Sequence, residues 1–207
     1  MAITLHGQAP VTVSQAKKYL QDQGFPADGG DLLKMHINGV TGLMLALMGR
    51  DHMLHTAGEQ LTEYYRGYGE AKLYLCNAPV QDLVSVTLLP HDTTPTVLTG
   101  PGTDLSNDDM WYDREMGLIT LKTRNFSDVE QAAEVIYEAG FAAGDHRLEN
   151  LKMIALDAIA AKWKRWKDQK HGISAESKGE TSITYSATDF DEVTVKELKR
   201  HKRTWFV

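Results

Sequence analysis

The sequence predicts an α+β protein, mainly α: a helical bundle that carries a small antiparallel β insertion and ends in an extended C-terminal arm. Three observations carry this expectation. Apolar residues recur at helical spacing in two blocks, about 11–50 and 148–166. Between them, from about 60 to 140, the period drops to two, the alternation of half-buried strands. After Gly172 large apolar side chains become scarce. Residues 1–171 therefore read as one domain with the β-rich insertion inside it, and 172–207 as a flexible arm.

The elements follow in order. Ser14 can cap a short first helix, in which Val13, Ala16, Tyr19 and Leu20 make a partial apolar stripe. Gly24-Phe25-Pro26 breaks it and Gly29-Gly30-Asp31 prepares a second start. Leu33, Ile37, Val40, Met44, Leu47 and Met48 then fall on one helical face, and Gly49 supplies the stop. Gly39 and Gly42 inside this helix cost about 1 kcal/mol each relative to Ala, which close approach of another helix would compensate. Met35, Met44, Met48 and Met53 read as gap-filling core.

In the insertion, Leu61–Tyr65 and Leu73–Leu75 read as strands flanking Gly67-Tyr68-Gly69, a hairpin. Val84, Val86 and Leu88 alternate with polar residues, as do Val135 and Tyr137. The segment Thr93 to Asp109, rich in Pro and Gly, reads as a long loop. Leu148, Leu151, Ala155, Ile159, Trp163 and Trp166 mark a long helix, whose basic residues near its end complement the helix dipole. That helix must pack back on the N-terminal pair to bury Leu151, Ile159 and Trp163. Trp163 is expected in the core and Trp166 at its rim or in a subunit contact. The run Ser174 to Asp191 is too poor in apolar side chains to offset its own ordering entropy, so it is expected to order on docking.

Composition bounds the function. The 207 residues are 42% apolar and 24% charged, ordinary values for a globular chain. No apolar run approaches the roughly 20 residues of a membrane-spanning helix, and Met1 to Pro10 lacks the basic start and apolar centre of a signal peptide. Cys76 is the single cysteine, which excludes an internal disulfide and a cysteine metal cage and suits a reducing cytoplasm. Net charge is −6, unevenly spread: 9 Lys/Arg against 19 Asp/Glu up to residue 146, and 13 against 9 afterwards. An acidic body and a basic end suit head-to-tail packing, or a basic end lying near DNA or an acidic partner surface.

Catalytic and metal-binding patterns do not assemble. Gly67-Tyr68-Gly69 lacks the Lys-Ser/Thr of a phosphate loop. His52 and His55 are three apart but have no third ligand at a recognisable spacing. Asp104, Asn107, Asp108 and Asp109 resemble a calcium loop in composition only. Asp113 and Glu115 form a carboxylate pair with no nucleophile or histidine tied to them. The expectation is a protein that is not an enzyme, with no cofactor and no metal.

The order of the pieces resembles the head–tail connector (adaptor, or head completion) family of tailed bacteriophages. The residues that carry it are Gly49-Arg50, then Thr62 to Gly69, then Leu73-Tyr74-Leu75 with Ala78-Pro79-Val80 and Leu83 to Val86. They continue through Asp113 to Leu121, Val135 to Gly140 and Gly172 to Tyr185, and end at Leu198 with its basic successors, covering about 14 to 203. Two features depart from the family: no proline stands in Asp145-His146-Arg147-Leu148, and Arg66 replaces a commoner small or acidic residue.

The resemblance implies a subunit of a ring, commonly a dodecamer, beneath the portal protein. Such a ring extends the DNA channel and offers a surface to the next neck or tail protein, a stopper. It also implies a place in the neck of a virion made in the bacterial host cytoplasm, and no catalytic position. Within that picture the arm is the candidate for portal docking, through Leu198, Lys199, Arg200, Lys202, Arg203, Trp205 and Phe206, and Trp166 is the candidate subunit contact. DNA passes but is not tightly bound, because so short a basic cluster neutralises few phosphates. The alternatives are another neck component, a stopper or tail-completion protein, or a small nucleic-acid-binding protein using its basic tail.

Overall fold

The computed structural model describes residues 3–21, 24–26, 29–89, 94–98, 110–168, 175–178, 181–184, 190 and 192–201. The chain divides into two units: a helical unit of Met1–Arg50 with His146–Val207, and a β unit of Asp51–Asp145.

In the helical unit α1 spans Val13–Leu20 and α2 spans Gly30–Met48. The cap of α1 is Thr12 rather than Ser14. The Gln15 N–H donates to Thr12 Oγ1 (3.2 Å) while the Thr12 N–H donates to Gln15 Oε1 (2.8 Å), a reciprocal box that Ser14, already inside the helix, cannot form. Gly49 ends α2 in the left-handed region (φ 61°), and the Gly49 and Arg50 amides bond back to Ala46 and Leu45. Helix α3 covers His146–Lys167 and buries Leu148, Leu151, Ala155, Ala158, Ile159 and Trp163. It packs on α2, and α1 packs against both. Gly39 faces the Lys162 amine of α3, so a Cβ there would stand 3.2 Å from that nitrogen, whereas Gly42 has nothing near it. Met44, Met48 and Met53 are buried, but Met35 lies outside the apolar stripe and is 57% exposed, so it is not core.

The C-terminal segment departs most from the expectation of an extended arm. Ala175–Lys178 (β8) and Thr181–Thr184 (β9) pair antiparallel, and Glu192–Arg200 forms a helix, α4, packed on α2. Leu198 is fully buried there, Phe190 is buried ahead of it, and the Arg50 Nη2 donates to the His201 carbonyl (2.8 Å). Asn150 of α3 reaches Glu197 (2.6 Å). The reason is amphipathicity: one large apolar residue in a short charged helix is enough to dock it, a burial that contributes about 1.5–3 kcal/mol.

The β unit holds two antiparallel sheets over one core. The larger has the order β1-β7-β3-β4, from Leu61–Tyr65, Ala133–Ala139, Val80–Leu88 and Thr96–Leu98. The smaller is β2-β6-β5, from Lys72–Tyr74, Leu118–Leu121 and Met110–Asp113. Leu83, Val86, Val135 and Tyr137 of the first face Leu73, Met110, Ile119 and Leu121 of the second. Irregularities between Val80 and Asp82 and between Leu83 and Ser85 interrupt the strict alternation of β3.

Leu61–Tyr65 and Leu73–Leu75 are therefore not a hairpin: β1 pairs with β7 and β2 with β6. Of the glycines between them, Gly67 serves close passage, whereas Gly69 takes a left-handed backbone (φ 72°) with nothing near it. The Gly67 N–H donates to Val129 O (3.0 Å), and a Cβ on Gly67 would fall 1.9 Å from the Ser127 carbonyl oxygen. Within the expected loop Thr93–Asp109, Thr96–Leu98 is an edge strand; residues 99–109, with the acidic turn Asp104–Asp109, lie outside the described residues. With four helices and two antiparallel sheets in the two units among the described residues, besides the β8–β9 pair, the fold is mixed α+β rather than mainly α.

Candidate assembly surfaces

The side chains with chemical potential are mostly tied into structure. His55 Nε2 meets Glu138 Oε2 at 2.9 Å, and the Gly58 N–H donates to the other oxygen of Glu138 (3.0 Å). Asp113 accepts from the Met116 N–H (3.0 Å), closing the turn between β5 and β6. No group of three metal-ligating side chains occurs among the described residues.

One buried polar network organises the inner face of the β unit. Glu63 stands at an inward position of β1, between Leu61 and Tyr65. Its carboxylate accepts from the Tyr65 hydroxyl, from the Tyr137 hydroxyl (2.5 Å) and from Asn77 Nδ2 (3.0 Å). The phenol oxygens in turn accept the Cys76 and Asn77 amides, and Asn77 Oδ1 accepts the Asp51 and His52 amides (3.2 Å each). The network fastens the entering chain to both sheet edges and leaves each of these groups partnered.

Burial pushes the Tyr65 and Tyr137 hydroxyls well above the ordinary tyrosine range, and the neighbouring Glu63 carboxylate adds to this. The folded state thus holds protons that the unfolded chain releases near pH 10. Their contribution is complete below that pH and is lost as pH rises beyond it. Tyr137→Phe is expected to lower stability at neutral pH by about 1–3 kcal/mol, because the Asn77 amide and Glu63 lose a partner. It should also lessen the fall in stability above about pH 10; urea midpoints across that range measure both effects.

Two of the outward surfaces among the described residues pair exposed apolar side chains with charge of one sign. On α3, Trp166 is 44% exposed and stacks on the buried Trp163 (ring centroids 5.1 Å, planes at 23°). Lys164, Arg165 and Lys167 share the last turn of the helix with it. On the larger sheet, register aligns Tyr64, Glu134, Thr87 and Val97 in a row across all four strands. Thr62, Ile136 and Ser85 form a second row, and Glu138 with Asp82 a third. Tyr64 and Val97 are each more than half exposed, and the four strands contain no Lys or Arg. The sequence puts Trp166 at the core's rim or in a subunit contact, and the structure shows it half exposed on the edge of the core; the sheet rows have no counterpart in that reading. The alternation of Glu134, Ile136 and Glu138 was their visible signal.

Of the portal-docking candidates, Lys199 and Arg200 are exposed on α4, and Leu198 is spent on the unit's own core. Lys202, Arg203, Trp205 and Phe206 lie outside the described residues.

No family model matches the sequence, and no curated protein matches it. Among solved structures, the fold is similar to a chain in the "Neck of empty GTA particle computed with C6 symmetry". The TM-score is 0.58 at 12% identity, over 100% of this chain and 96% of that one. It is also similar to a chain in the "Neck of native GTA particle computed with C12 symmetry", with a TM-score of 0.53 at 11% identity over the same shares. At such identity the likeness is one of fold.

Proposed function

We propose that this chain is a structural subunit of the neck of a phage-like particle. More narrowly, it is a head–tail adaptor that forms a ring beneath the portal, extends the DNA channel and presents a surface to the next neck or tail protein. The observation that carries this reading is the correspondence of fold along the entire chain, both units included, with chains from the necks of symmetric GTA (gene transfer agent) particles. The order of sequence segments that resembles head–tail connectors points the same way.

In this reading the chain works by binding and catalyses nothing. A cyclic ring uses a different face of each subunit on either side. The docked α4 changes where the portal segment begins. Cutting at residue 190 would strip Phe190 and Leu198 from the core, so a body left intact requires the cut after His201. The portal contact then falls to the basic-aromatic tail 202–207, assisted by Lys199 and Arg200 of α4. Trp205 and Phe206 are its anchors, each worth about 2 kcal/mol when buried in a partner.

Mass photometry of the protein alone and with the portal of its own phage tests this. A saturable complex of one ring per portal is expected. Deleting 202–207 should abolish attachment while the far-UV circular dichroism and urea midpoint stay unchanged. A protein that remains monomeric with the portal present overturns the adaptor reading in favour of another neck position, and a truncated protein that still binds removes the tail from it.

A further inference from the structure

We propose that neighbouring copies join through the outward face of the four-stranded sheet on one and the Trp166 end of α3 on the next. This rests on the ring reading above and assigns the two faces that such a ring needs.

The first argument is charge. Residues 51–145 carry 16 Asp/Glu against 5 Lys/Arg, a net −11, while the helical unit carries 12 against 17, a net +5. The division of charge follows the division into units, so two like units repel and two unlike units attract. A head-to-tail contact that brings the β unit of one copy to the helical unit of the next is the arrangement this distribution favours.

The second argument is local chemistry. The sheet face combines exposed apolar groups at its ends, Tyr64 and Val97, with Ile136 between them and the carboxylates Asp82 and Glu134. It has no cation of its own in any strand. The α3 end offers the inverse: an exposed indole held in place by its stack on Trp163, in a helical turn that also carries Lys164, Arg165 and Lys167. A rigid aromatic with a cationic rim against an apolar strip with an anionic rim is the composition of an interface hot spot. DNA is a poor occupant of the sheet, because phosphate and carboxylate repel. A second copy supplies the missing cations in one-to-one proportion.

Charge exchange tests the pairing. The sheet variant is Asp82→Lys with Glu134→Lys, and the helix variant is Lys164→Glu with Arg165→Glu; all four side chains lie outside the core. Each variant alone, folded by circular dichroism, is expected to lose ring assembly at concentrations at least tenfold above those at which the unaltered protein assembles. Mixing the two in equal amounts should restore a ring of alternating copies, as should one chain carrying all four changes. If the unaltered protein forms rings and either variant does so equally well, the pairing is wrong and the ring reading stands. If both variants are monomeric but do not complement each other, the two faces do not meet and the pairing is again wrong. An unaltered protein that forms no ring, with or without the portal, overturns both.

Discussion

Trp163→Ala is expected to lower stability by about 3–5 kcal/mol, a large part of the 5–15 kcal/mol available to a typical domain. The side chain is only 3% exposed at the end of the α3 stripe. The edge of Phe25 packs against it at 4.7 Å between centroids and Trp166 stacks on its other side, so one truncation removes a large buried area and two aromatic contacts. The loss should show as a fall in the urea midpoint with a little-changed slope. Trp166→Ala, which leaves the buried ring in place, should cost about 1 kcal/mol yet impair assembly. A Trp163 variant as stable as the parent would mean that α3 is not held by this contact.

Gly140→Ala is the second large effect, about 2–6 kcal/mol. Two causes add: a backbone angle (φ +110°) that side chains rarely adopt, and a Cβ only 2.5 Å from the Leu54 carbonyl carbon and 2.6 Å from the His55 nitrogen. Those neighbours are backbone and cannot swing aside. Gly58 provides the control, since its φ is +81° but nothing lies near its missing Cβ. Gly58→Ala should therefore cost about 1 kcal/mol, the conformational part alone. Thermal or urea denaturation of the two variants side by side separates strain from collision; equal losses would remove the steric part of the account.

What was legible in the sequence was what is local. The stripe from Leu148 to Trp163 specifies α3 because helical periodicity needs no distant partner, and Gly49 ends α2 through its own left-handed backbone. Strand existence was legible for the same reason, but pairing was not. Leu61–Tyr65 finds its partner in Ala133–Tyr137, and nothing in either segment names the other. The glycines at 67 and 69 looked like a turn because the Ser127 backbone that Gly67 accommodates is distant in sequence. The segment of α4 reads as an arm for a similar reason, since the burial of Leu198 depends on α2. Of the surfaces, Trp166 was visible through its spacing from Trp163, whereas the row Tyr64–Glu134–Thr87–Val97 exists only once four strands are in register. The charge imbalance was seen as body against end, but its true border follows the two units, because α1 and α2 belong with the basic part.

The β unit is fastened where the chain enters and leaves it. The Phe141 N–H donates to Met53 O (2.8 Å), the His55 N–H donates to Phe141 O (3.1 Å), and Asn77 holds Asp51 and His52. During synthesis this has a consequence for timing. Helices α1 and α2 emerge while their partner α3 is still unmade, but the inserted residues are complete before α3 begins. Once they have folded, the halves of the helical unit are no longer tethered by a floppy span of about 95 residues. They are joined by a clasp that acts as a loop of roughly ten, which lowers the entropic cost of bringing them together by about 2 kcal/mol. The insertion is thus a scaffold for the folding of the helices that flank it, and a released chain truncated after residue 145 should already protect its strands while α1 and α2 remain open to proteolysis.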